Sequence, residues 1–123
     1  MSYTSDQWRS AVFKLLKLTS KQEINWSPST IFQGDAWTLV DRSFQATFQD
    51  KTYVVSATRT KYFIDEEEWI WSGGFDLSIF EKVSGSYERI TSSPEISLVS
   101  NLFSAAEASY AFKRGALSGL IDD

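Results

Sequence analysis

The chain has 123 residues, with twelve Lys and Arg against sixteen Asp and Glu, a net charge of −4, and neither histidine nor cysteine. The double absence excludes disulfides, His- or Cys-ligated zinc, copper and haem sites, and every mechanism built on a histidine base or a thiolate nucleophile. The acidic balance opposes nonspecific nucleic-acid binding, which needs a basic face for the phosphate backbone.

The first element is a helix starting at about Ser5. Thr4 and Gln7 form a capping box, and Tyr3 with Trp8 has the spacing of a hydrophobic staple. Trp8, Ala11, Val12, Leu15 and Leu16 follow a core-facing stripe, while Arg9, Lys14, Lys17 and Lys21 lie on other faces. Phe13 falls outside the stripe, beside Lys17, and either widens the buried face or stands in solvent as a contact residue. The helix ends between Thr19 and Gln22, and residues 23–27 alternate as a short edge strand stopped by Pro28. Residues 28–35 form a loop with Ile31 and Phe32 as an apolar tip, tucked in or presented outward.

Residues 36–40 and 43–49 are expected as two β runs. The second pairs across an Asp50-Lys51 turn with residues 52–60, placing Phe44, Ala46 and Phe48 with Tyr53, Val55 and Ala57 on the inner face. Tyr62 to Trp71 has four consecutive acids between aromatic clusters and is expected as a long loop or strand bend. Ser72-Gly73-Gly74 permits a bulge before a strand in which Phe75, Leu77 and Ile79 alternate with Asp76, Ser78 and Phe80. Ser84-Gly85 makes the next turn, and residues 87–91 the last strand. Ser93-Pro94-Glu95 predicts a helix start, with Ile96, Val99, Leu102, Phe103, Ala106 and Tyr110 on one face and Lys113-Arg114-Gly115 at its end. A short last turn holds Leu117, Leu120 and Ile121.

The order of helix, about five antiparallel strands and helix predicts a single α+β domain over residues 1–123, a meander with one face covered by the helices. The other face carries Gln, Ser, Thr and Arg, suited to water or to a partner. Leu15 to Thr19 followed by Ile24-Asn25-Trp26 resembles a pattern in small uncharacterised bacterial proteins, an N-terminal helix closing in Leu-Thr and then a short strand ending in Trp. The resemblance extends to Leu102-Phe103 and Leu117-x-x-Leu120-Ile121 near the C-terminus, leaves out the middle, and implies the element order but no activity.

Asp65, Glu66, Glu67 and Glu68 are poorly spaced for Mg²⁺ or Ca²⁺, because adjacent carboxylates on a strand or helix diverge. A carboxylate hydrolase could be assembled from Glu66, Glu68, Asp76 and Glu81 with Trp37 and Trp69, but no spacing demands it, and nucleotide-binding and Gly-x-Ser-x-Gly patterns are missing. No apolar run approaches the ~20 residues of a membrane span, and a basic interfacial helix would have to overcome the acidic second half. Residues 62–123 carry eleven acids and four bases, against five and eight in residues 1–61. The asymmetry predicts either halves that fold against each other or a dipolar surface that steers a partner.

These features point to a non-catalytic, cytoplasmic interaction module of immunity, antitoxin or accessory type, without cofactor, metal, nucleic acid or membrane. Its partner is another protein, a basic one being attracted by the excess acid, met through Asp65, Glu66, Glu67, Glu68, Trp69 and Trp71, with Phe13 as a further candidate. Two alternatives stand. One is a small-molecule domain with a pocket between sheet and helices lined by Trp26, Trp37, Phe44 and Tyr53, and the other is a homo-oligomer.

Overall fold

The computed structural model describes residues 1–121. Helix α1 spans Ser5–Ser20, and its capping box is formed: Gln7 N–H donates to Thr4 Oγ1 at 3.1 Å and Thr4 N–H to Gln7 Oε1 at 2.8 Å. The strands β1 (Ser27–Pro28), β2 (Thr38–Phe48), β3 (Lys51–Phe63), β4 (Trp69–Val83) and β5 (Ser86–Ser92) form one antiparallel sheet in sequential order, and α2 spans Leu98–Lys113. The α+β meander is therefore as expected.

One apolar layer joins the parts. Trp8, Val12, Leu15 and Leu18 of α1 meet Val99, Leu102, Phe103 and Ala106 of α2 over Phe44, Ala46, Val55 and Leu77 of the sheet. The α1 stripe is shifted from the expected one. Leu18 is buried and Ala11 is exposed, because the helix turns its Trp8, Val12, Leu15 and Leu18 line inward. Thr19 closes that line: its hydroxyl donates to Leu15 O at 2.7 Å and accepts the Trp26 indole N–H at 2.9 Å. The buried Trp26 thus has its polar atom satisfied, and without that acceptor the indole would lose about 1–3 kcal/mol.

Several expected boundaries are corrected. Residues 23–26 form no strand, since Ile24 and Trp26 are both drawn into the core, and only Ser27–Pro28 pair with β2 at the sheet edge. The two runs after residue 36 are one strand, continuous through a bulge between Val40 and Arg42. The extra residue, Asp41, is the partner of Arg59, whose Nε donates to both carboxylate oxygens at 2.8 and 3.0 Å. The β2–β3 turn is Gln49-Asp50, with φ of 50° and 69°, one residue earlier than expected. Two consecutive left-handed residues match the twist of the flanking strands, as they do at Ser84-Gly85.

Glycines 73 and 74 sit in unbroken register opposite Arg59 and Thr58, so the expected bend there is absent and the irregularity lies instead between Ile79 and Phe80. Helix α2 begins at Leu98 rather than after Ser93. Ser93 N–H is held by Leu77 O at 2.8 Å, so the chain is still attached to the sheet at that point and must cross to the helix layer before winding.

The sheet face away from the helices is more closed than its composition suggests. Val54, Ser56 and Ser78 are fully buried and Phe80 nearly so. Buried hydroxyls pair across strands, Ser43 with Ser56 at 2.8 Å, and Thr47 pairs with Thr52 at 3.0 Å. Ile31 and Phe32 are half-buried, and Phe32 to Asp35 lies beside Thr58, Thr60 and Asp76. The 29–37 loop is therefore the cover of this face, with its apolar tip tucked in.

Candidate functional site

The largest departure from expectation is at residues 61–71, where β3 and β4 run on as a hairpin and only residues 64–68 form the turn. Their register is continuous to Phe63 opposite Trp69. Strand β2 accompanies them only as far as Thr38, opposite Thr60, with Lys61 N–H donating to Trp37 O at 2.9 Å. Beyond that level the two strands continue alone for about 10 Å. β5 pairs β4 only from Ser78 onward and Ser93 N–H holds Leu77 O, so the edge without a β5 partner runs from Trp69 to Asp76.

A free two-stranded ribbon is marginal in water, and ring contacts together with cations reaching across from β3 supply packing here. Alternation along each strand puts Trp37, Arg59, Lys61, Phe63, Trp69 and Trp71 on one face. Trp69 and Trp71 meet edge to face at 5.0 Å, and Trp37 meets Phe63 at 5.3 Å. Lys61 Nζ lies 4.5 Å from the Trp69 ring centre and the Arg59 guanidinium 5.4 Å from that of Trp71. Even so, Trp69 and Trp71 are 39% and 37% exposed and Trp37 is 54% exposed. Tyr62 and Ile70, a directly opposed pair on the reverse face, are also exposed.

The acidic run caps this ribbon. Asp65 is consumed by the turn, its Oδ1 accepting the N–H groups of Glu67 and Glu68 at 2.8 Å each. Glu66, Glu67 and Glu68 are exposed. Acids and tryptophans are thus adjacent, but not one mixed surface: the carboxylates form the tip, and the cations of Arg59 and Lys61 lie against the rings. Along the chain the rings neighbour the acids. The cation contacts come from β3, across the sheet.

Phe13 does not join them. It is 58% exposed on α1, and α1 meets the sheet near Lys51, Tyr53 and Ile79, the end of β3 some ten residues, or roughly 30 Å, from the hairpin tip. The expected pocket lining is also dispersed. Trp26 and Phe44 are buried core residues, Tyr53 is half-buried, and Trp37, just before β2, packs on Phe63 of the hairpin. Two of the ion pairs, Arg42 with Glu107 at 2.9 Å and Lys51 with Glu81 at 4.0 Å, join the basic first half to the acidic second. Part of the charge asymmetry is therefore internal complementarity.

The chain matches no protein family, no curated protein and no solved structure. No helix among the described residues is long and apolar enough to cross a membrane.

A second polar feature, missed in the sequence, lies on the loop-covered face. Asp76, on a strand flanked by β3, is half-buried, and its Oδ2 accepts Ser78 Oγ–H at 2.6 Å. Burial raises its carboxyl above the ordinary value, with the Ser78 hydrogen bond and the Arg89 charge opposing. The folded chain therefore holds this proton to higher pH than the unfolded chain does. Asp76 favours folding below the ordinary carboxylate range, and that contribution is lost as pH rises through the raised value. Asp76→Asn, which keeps an acceptor for Ser78, should raise the melting temperature at about pH 7 and leave it unchanged near about pH 3. Thermal melts across that range check the sign.

Proposed function

We propose that this chain is a non-catalytic, cytoplasmic binding module whose contact surface is the distal β3–β4 hairpin, and that its partner is another protein. The observation that carries this reading is the exposure of paired tryptophans on a ribbon that outruns both helices. Such rings, rigid and amphipathic, are the side chains that dominate interface energy when a partner covers them. Their contacts with each other and with Arg59 and Lys61 of β3 order the rings before binding, which lowers the ordering cost of association. The three exposed glutamates at the tip fit a partner with a basic rim, and they act on encounter more than on final affinity.

The roles separate by experiment. A photo-crosslinking amino acid at Ile70, exposed on the hairpin's reverse face, identifies the partner, which is then purified. Replacing Glu66, Glu67 and Glu68 by Ser should slow its association by about tenfold at low salt. The difference should shrink toward unity as ionic strength rises and the Debye length falls to ~3 Å. Stopped-flow association rates across a salt series provide the measurement. An unchanged rate at every salt concentration would remove the acids from the interface and leave the rings to be tested alone.

A further inference from the structure

The face opposite the helices carries a cavity of about 450 Å³ between the 32–35 loop and the sheet, within the ~300–1,000 Å³ range of small-ligand sites. Its walls are chemically divided. Asp76 stands on one side, with one carboxylate oxygen bound by Ser78 and the other without a hydrogen bond among the described residues. Arg89, an exposed residue of β5, also lines the cavity, near enough for its charge to act on Asp76, yet it makes no ion pair among the described residues. Thr58 and Thr60 supply hydroxyls from β3, and Phe32 supplies a ring from the loop.

Two opposite charges that share a cavity without closing on each other leave a gap that a ligand can bridge. The loop wall is firmly placed. Asp35 Oδ1 accepts the N–H groups of Trp37 and Thr38 at 2.8 and 2.9 Å, and a Cβ on Gly34 would sit 1.9 Å from Thr38 O. Only glycine allows that close approach.

The geometry points to this cavity as a binding site for a small zwitterion of the free α-amino acid class, its ammonium group on Asp76 and its carboxylate on Arg89. A guanidinium matches a carboxylate in two parallel hydrogen bonds, and a partly desolvated carboxylate gains from a charged N–H donor. The cavity's hydroxyls can either donate to or accept from the ligand's remaining polar atoms. This site is on β3, β4, β5 and the 32–35 loop, on the loop-covered face, and stands independently of the hairpin reading.

The test uses the whole chain and the standard L-amino acids as probes, each titrated to about 10 mM in amide NMR and calorimetry. At least one should bind and shift the amides of Gly34, Thr58, Thr60 and Asp76. Its N-acetyl and its C-amide derivatives should each bind about tenfold or more weakly. Asp76→Asn should erase the distinction between the free and N-acetyl forms, and Arg89→Gln that between the acid and the amide. The capped derivatives read the wild-type protein, so the comparison holds even if a variant fails to fold. No binding across the set, equal binding of capped and free forms, or shifts confined to another surface would overturn the assignment.

Discussion

Serine at both Trp69 and Trp71 should weaken partner binding by about a hundredfold or more, a loss of about 2.7 kcal/mol, while the chain stays folded. The two halves of this expectation have separate causes. The rings are a third or more exposed and lie outside the apolar layer that joins helices to sheet. Their removal takes away one ring pair along β4 and three cross-strand cation contacts from Arg59 and Lys61, exposed contacts worth about 0.2–1 kcal/mol each. In a bound complex the same rings become fully desolvated, where single aromatic anchors are worth about 2 kcal/mol or more. Calorimetric titration of the crosslink-identified partner measures the first half and a thermal melt the second. Unaltered affinity would mean that these rings serve the hairpin and nothing else.

The converse holds for Phe44→Ala, which should cost about 3–5 kcal/mol of folding stability. Phe44 is fully buried, with the rings of Phe103 and Tyr110 each 5.7 Å away and the Arg42 guanidinium 4.8 Å from its centre. Truncation leaves a cavity where strand β2 meets α2, and neither element can collapse into it without moving the sheet. Against a typical total of about 5–15 kcal/mol, this is a large share of the fold's margin. Urea unfolding should show a lower midpoint with an unchanged slope, because the surface exposed on unfolding remains nearly the same. A midpoint within error of the wild type would show that the Phe44 site is not the packed centre described.

The contrast between these positions shows what the sequence could and could not disclose. The inward faces of the central strands were legible, because Phe44 and Ala46, Val55 and Ala57, and Leu77 and Ile79 repeat with period two. So was the capping box at Thr4, a local feature whose partners are three residues apart. The distal hairpin was not. Four adjacent acids and several large rings read as a loop, since nothing local says that Lys61 crosses to Trp69 and Trp71 or that Trp37 crosses to Phe63. Those contacts exist only once the register is set.

The start of α2 misled for a related reason. Ser93, Pro94 and Glu95 have a helix-start composition, but Ser93 is bonded to Leu77, and tertiary attachment overrides the local preference. Asp76 was placed correctly on a strand, and its signal was available, since a carboxylate on a strand beneath a covering loop needs a reason. What concealed it was the 29–37 loop, whose position over that face no periodicity encodes.

Amide hydrogen exchange on the complex with the crosslink-identified partner is the most direct test of the hairpin as the contact surface. The exposed segment from Lys61 to Phe75 should gain protection on binding by about tenfold or more, while the outer face of α1 around Phe13 keeps its free-state rates. Protection centred on α1 or α2, with the hairpin exchanging as it does in the free chain, would contradict the account.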